Sequence, residues 1–332
     1  MLCQRSLLAT TAALLGLLAA VAPGRSLAAQ AFPARHITLV VPFAAGGPSD
    51  GMARIIAEGL AKQNGWNVIV ENVAGAGGTT GSTRVSKADP DGHTILFGNI
   101  GTHAANVGML KKLAYDPVQD FEPITLVASV PFILSARKSL NVKDFPAFRA
   151  LVATDGAKLN FGSAGVGSAS HLACLLLNAA LSSKAVHVPY RGVGPAMNDL
   201  VAGQIDFMCD QTVTMMPQVT GGTVHPLAVM SPTRLAQLPE LPTCAESGLA
   251  DVSVEAWNAL FAPKGTPRPL VELLAAKISA VLNAPDTNAR LQKLGAVVPD
   301  AASSGPDALR LHVIEEVKKW VPIIKAAGAS AE

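Results

Sequence analysis

Aromatic residues are scarce in this chain, with only 2 Tyr and 3 Trp, and its acids and bases nearly cancel at a formal net charge of +2. With no basic run and few rings to stack on, it lacks the footprint of a nucleic-acid binder. Its 4 cysteines form no CxxC pair, so a zinc or haem site has no support, and no metal or cofactor is expected. The Gly-rich catalytic signatures also fail. A dinucleotide fingerprint starting at Gly75 would need glycine where Thr80 stands, and Glu71 precedes that loop instead of following it by about 20 residues. The stretch Ser163-Ala164-Gly165-Val166-Gly167-Ser168 is neither a nucleophile elbow nor a P-loop, which would need Lys beside the last Ser. No spacing links Ser, His and Asp into a nucleophile–base pair, so the chain is not read as an enzyme; the alternative is an exported α/β hydrolase-like enzyme acting on a small acid.

Only one long apolar run occurs. Arg5 precedes an uncharged stretch over 6–22, a Pro23-Gly24 break and small residues around Ala29-Gln30-Ala31, so residues 1–31 read as a secretory signal cleaved near Ala31. The stretch is short of the roughly 20 residues that a spanning helix needs. Cleavage removes Arg5 and Arg25 and no acid, leaving 24 bases against 24 acids. A neutral, exported chain disfavours nucleic acid and membrane surfaces as partners. Cys174, Cys209 and Cys244 survive cleavage, and in an oxidising compartment they suggest one disulfide and one spare thiol. Cys174 with Cys209 is the candidate bridge, and Cys244 could replace either partner.

What remains is an alternation of β-rich runs and helical patterns. Strands are expected over 36–42, 67–71 and 94–98, with helices over 50–63 and 80–88 between them, and Ser49 or Asp50 as a helix cap. The pattern restarts near residue 130, with strands over 130–136, 158–162, 185–189 and 205–210, and helices over 144–153, 168–181 and 194–202. The C-terminal section reads as helices over 268–283, 286–295 and 305–326 with few strands. About 300 mature residues exceed one core, so two α/β domains with mostly parallel sheets are expected. The C-terminal section is expected to pack back on the first domain, giving 32–131 plus 255–332 as domain 1 and 132–254 as domain 2, with two crossovers at the hinge.

Two Gly-rich turns carry the functional signal. The run Val40 to Asp50 and the run Asn160 to Ser170 each pass from an apolar strand through glycines to a helix start. Glycine lets backbone approach a ligand, and the free N–H groups and positive dipole end of a helix favour an anion there. Two such cradles in separate segments of an exported chain point to capture of a small acid. Thr79 and Thr80 offer hydroxyls after the strand over 67–71. His171, one turn into its helix, either orders the loop or touches ligand. Asp210 ends a strand at the same sheet edge; it would repel a carboxylate, so it suits an ammonium, a hydroxyl or a water.

Taken in order, Pro42 to Asp50, Glu71 to Gly78, Tyr115 to Phe121, Ser163 to His171, His187 to Gly192 and Ala262 to Pro267 resemble the Bug receptors, the substrate-binding proteins of tripartite tricarboxylate transporters. The resemblance implies a two-domain, hinged periplasmic binding protein of the type II class, the Venus flytrap, that binds small organic carboxylates. It also implies delivery to a membrane permease of tripartite type or to a sensor kinase ectodomain, with the receptor itself a monomer. By position, Phe43, Ala44, Ser49 and Asp50 would form the first wall with Thr79, Thr80 and Thr102 beside it. Ser163, Ala164, Ser168 and Asp210 would close from the second. The loop after Val73 departs from the family in lacking the Arg-Pro pair that many members carry there.

Overall fold

The computed structural model describes residues 32–327; the export signal and its cleavage position lie outside them. The first strand, β1 (Ile37–Val41), is an apolar run that runs into the first Gly-rich turn. Helix α1 (Pro48–Asn64) follows, with Gly47 as its N-cap and Gly65 in left-handed conformation at its C-cap. Proline suits this first helical position because its missing N–H has no intrahelical partner there and its φ is preset. The helix therefore starts before the expected residue 50, and Ser49 and Asp50 lie inside its first turn instead of capping it. Met52, Ile55, Ile56 and Leu60 form its buried stripe. Strands β2 (Val68–Asn72) and β3 (Thr94–Asn99) pair in parallel with β1 on either side, with α2 (Thr79–Ser86) between them in sequence. A single π-turn over Gly101–Ala105 and the short α3 (Asn106–Met109) close this part.

The centre of the sheet departs most from expectation. Strand β4 runs 17 residues, Phe121–Arg137, where only 130–136 was expected. Pro123 and Pro131 interrupt the sequence pattern, since proline cannot donate to a ladder. In the structure Pro123 sits at a register shift and Pro131 at the end of one ladder, so both are tolerated. The second lobe follows with α4 (Phe145–Asp155), β5 (Asn160–Ser163), α5 (Ala169–Ala180), β6 (Val186–Pro189), α6 (Val193–Val201), β7 (Phe207–Gln211), α7 (Thr212–Thr220) and β8 (Val224–Val229). The chain then returns as β9 (Glu255–Pro263), α8 (Arg268–Asn283), α9 (Pro285–Lys293), α10 (Ala301–Ser304) and α11 (Pro306–Ala326). The strand order is β2-β1-β3-β9-β4-β7-β5-β6, with β8 also on β4.

Parallel pairs occupy the flanks of the sheet, and the pairs made by β4 and β9 at its centre are antiparallel. The first part of β4 pairs with β9, and from Phe132 onward it pairs with β7 and β8. That change of partner makes two α/β lobes, joined where β4 leaves the first and where the chain re-enters it at β9. In the second lobe, α5 buries Leu172 and Leu177 completely. Each such side chain contributes about 1.5–3 kcal/mol of burial free energy. Cys174, Cys209 and Cys244 are buried in the same core as free thiols, so the expected Cys174–Cys209 bridge is not formed. The Cys209 amide points at Cys174 Sγ at 3.1 Å, and burial pushes the Cys244 thiol up to about 12, which disfavours the reactive thiolate.

Candidate functional site

Four helices begin at one cavity between the lobes. Gly47, Pro48 and Ser49 bring the start of α1 to it, and Ser168, Ala169 and Ser170 the start of α5. Val193, the first residue of α6, and Gln211, the N-cap of α7, complete the set. The first N–H groups of a helix have no intrahelical acceptor and stand at the positive end of its dipole. Convergence of several such ends makes an anion site without a formal positive charge. Among the described residues lining the cavity there is no Lys, Arg or His. The space open to the centre of a water-sized sphere is about 20 Å³, room for about one water, so the lobes stand nearly closed.

Closure is a backbone-to-backbone fit. The Ala44 N–H donates to the Arg191 carbonyl at 3.1 Å, joining the first Gly-rich turn to the loop before α6. Gly77 lies so near Val166 that a side-chain carbon on it would overlap the Val166 carbonyl. The close approach that the glycines permit is thus between the two lobes as much as toward a ligand.

The candidate residues separate by what their polar atoms touch. Phe43, Ser49, Asp50, Ala164, Ser168 and Asp210 line the cavity. Asp50, however, spends its carboxylate on the turn. Its oxygens accept from the Gly46 amide at 3.1 Å, from Arg54 at 3.1 and 2.9 Å and from Asn72 at 3.0 Å. Burial alone would raise this carboxyl, but the bonds from Arg54, Gly46 and Asn72 outweigh it and hold it below its ordinary value. Ser168 Oγ caps α5 by accepting the His171 amide at 3.3 Å. Asp210 differs from both. It is 1% exposed, its Oδ2 accepts from the Thr214 hydroxyl, and its Oδ1 has no hydrogen-bond partner among the described residues. Burial pushes its carboxyl up to about 7 against the Thr214 and Gln211 bonds that favour the anion.

The other candidates lie behind this surface. Ala44 makes the bond between the lobes already described, and Thr79 Oγ1 donates to the Ala76 carbonyl at 3.0 Å on the exposed side of its turn. Thr80 is exposed beside Gly75. Thr102 is buried; its Oγ1 accepts the Asn99 amide at 3.0 Å and meets His103 Nδ1 at 2.9 Å, which braces the turn after β3. Ser163 is wholly buried, and its Oγ lies 2.6 Å from His187 Nε2. This pairs a serine with a histidine where spacing predicted no such pair. Ser163 Oγ also bonds both polar groups of the Gly165 backbone, so the contact fixes the loop. His171 stacks on His187 with centroids 4.2 Å apart and accepts the Gly167 amide at 3.3 Å. Burial first, and then His187, press its imidazole down to about 3, so the ring is neutral at physiological pH. His171 orders the loop from behind.

Several lining residues escaped the sequence reading. Asn99 ends β3, and its Oδ1 accepts the amides of Gly101 and Thr102 at 2.9 and 3.2 Å. Its place at the carboxyl end of a strand was an available signal. Ser170 Oγ accepts the Ala164 amide at 2.9 Å, and Gln211 Oε1 accepts from Asn258 at 3.0 Å. Both stand next to residues already singled out. Val193 had no signal, because only packing brings α6 to this cavity.

The family described as the tripartite tricarboxylate transporter family receptor matches residues 52–329. A UPF0065 protein from the TAR-I ttuE-ttuC' intergenic region of Agrobacterium vitis is 40% identical over 312 residues, covering 94% of this chain and 90% of its own length. The solved periplasmic binding protein BugD superposes with a TM-score of 0.87 at 40% identity, over 91% of this chain and 100% of its own. MatC from Rhodopseudomonas palustris, solved with bound malate, gives a TM-score of 0.86 at 44% identity, over 88% of this chain and 100% of its own. The arrangement of two α/β lobes with a sheet that changes partners along β4 is therefore that of the periplasmic binding proteins, and the chain belongs to the tripartite tricarboxylate transporter receptor family.

Proposed function

We propose that this protein is a periplasmic receptor that captures a small organic carboxylate between its lobes and presents it to a tripartite-type permease or a sensor ectodomain. The single observation that carries the reading is the meeting of four helix starts at one cavity that, among the described residues, no cationic side chain lines. Helix starts gathered at one cavity favour a carboxylate there, and the malate held by MatC supports that class. The first lobe is assigned to 32–131 plus 255–332 and the second to 132–254. Phe43, Ser49, Ala164, Ser168 and Asp210 form the contact surface. Asp50, Thr102, Ser163 and His171 hold its loops.

Because the closed cavity has room for about one water, an acid enters only when the lobes part. Capture is then a shift between open and closed populations, driven by contacts that only the closed form makes. The export signal read in residues 1–31 supports a location outside the cytoplasm, and no described helix is long and apolar enough to cross a membrane. Catalysis is not assigned: Ser163 is wholly buried, and its hydroxyl is committed to Gly165 and His187.

Thermal unfolding of the mature chain against a panel of carboxylates, with sugars and nucleotides as controls, tests this. A ligand at 100 times its Kd adds about 2.7 kcal/mol to stability. Stabilisation by one class of acid, with the acid recovered unchanged, is expected. Stabilisation by sugars alone, or turnover of the bound acid, would overturn the proposal.

A further inference from the structure

Among the described residues lining the cavity, Asp210 is the one carboxyl with an uncommitted oxygen. The other lining carboxylate, Asp50, already accepts from Gly46, Arg54 and Asn72. Asp210 Oδ2 accepts from Thr214, the Gln211 amide also favours the charged carboxylate, and Oδ1, in a side chain 1% exposed, has no partner within the described chain. A buried acceptor without a donor costs roughly 1–3 kcal/mol, so structure of this kind calls for a donor from outside. No hydroxyl or amide among the described residues stands within hydrogen-bonding geometry of Oδ1. Of the two serines lining the cavity beside it, Ser168 and Ser170, one directs its hydroxyl to the other at 3.3 Å.

The cavity therefore presents two opposite demands. The starts of α1, α5, α6 and α7 present N–H donors that suit a carboxylate. Asp210 Oδ1 presents an acceptor that suits an O–H or N–H and repels a second anion. Building on the receptor reading, we propose that Asp210 is the selectivity determinant and that the captured acid carries a hydroxyl or ammonium group beside its carboxylate, donating to Asp210 Oδ1. A site built to meet such a donor discriminates strongly against the analogue that lacks it, because the acceptor is then left buried and unpaired. Burial raises this carboxyl to about 7, and a donor brought by the ligand would favour its ionised form.

Calorimetric titration with matched acids tests the inference: malate and aspartate each against succinate, and lactate against propionate. Wild type should bind the donor-bearing acid at least tenfold more tightly than its plain counterpart within at least one pair. In Asp210→Ala the ratio should fall to within about threefold while the plain acid still binds. Asp210→Asn, which keeps shape without charge, should lose ammonium acids more than hydroxy acids. It also serves as the second variant should the alanine form not unfold cooperatively. Plain acids binding as tightly as their partners in wild type, or an unchanged ratio in Asp210→Ala, overturns this inference and leaves the receptor reading standing. Stabilisation by none of these or other carboxylates overturns the receptor reading and this inference together.

Discussion

Gly192→Ala separates closure from folding. The φ of Gly192 is 167°, extended backbone that alanine adopts without strain. A side-chain carbon there would stand 2.7 Å from the Ala44 nitrogen across the cleft, where ordinary contact begins near 3.4 Å. Relieving it moves the walls apart by about 0.7 Å. The same shift stretches the Ala44–Arg191 hydrogen bond from 3.1 Å to about 3.8 Å, beyond bonding distance. One net hydrogen bond and its neighbouring contacts are worth about 1–2 kcal/mol, so acid affinity should fall about 5- to 30-fold. Gly192 is also the N-cap of α6, and alanine is a poorer cap by up to about 1 kcal/mol. Gly305→Ala controls for that cost, because Gly305 caps α11 with no atom near its missing side chain. Calorimetric titration of both variants, with scattering to follow the radius of gyration on adding acid, provides the assay. Equal affinities for the two variants would refute the argument that Gly192 is a contact point of the closed form.

Two further predictions concern the carboxyls at the cavity. Asp50→Asn should destabilise the ligand-free protein by about 2–3 kcal/mol at neutral pH, since hydrogen bonds from Arg54, Gly46 and Asn72 to a charged group are lost. A depressed carboxyl contributes stability above its unfolded value of 3.8 and loses it as pH falls through the folded value, so the deficit should shrink in acid. A deficit in urea unfolding that stays constant from pH 7 to pH 3 would contradict this. Asp210→Asn has the opposite sign. With its carboxyl raised from 3.8 to about 7, the folded state holds a proton that the unfolded state releases, so wild-type stability falls as pH rises through that window. The variant should gain up to about 4 kcal/mol over wild type above pH 7 and little near pH 4. A wild type more stable than the variant at pH 8 without ligand would refute it.

Local pattern was enough to read much of the scaffold. The start of α5 at Ser168 follows from a side chain able to cap it. The turns after β1 and β5 follow from glycines between an apolar run and a helical stripe. Strand β9 was illegible because it is buried from Ala256 to Pro263, so it shows no alternation. The full β4 was hidden by its two prolines, whose tolerance depends on where the ladder shifts register and changes partner. Helix α7 was obscured by Pro217 and its β-branched threonines and valines, which lower helix propensity, while packing of Met215 and Met216 holds it in place.

The length, the composition and the two Gly-rich turns were sufficient to indicate a two-lobed binder of a small acid, because capping and βα turns depend on residues a few positions apart. Which candidates face the cavity and which brace it was settled by folding alone. Ala44 meets Arg191, Gly77 meets Val166, and Ser163 meets His187 through contacts between segments distant in sequence. Side-chain direction at a turn is only partly a local property: Asp50 meets Arg54 and Thr102 meets His103 within a few positions, whereas Asn72 reaches Asp50 from a separate strand and Asp210 is left with one oxygen unpartnered by tertiary packing. Burial, and with it the charge state of Asp210 and the neutrality of His171, arises only when both lobes exclude water from the same few residues.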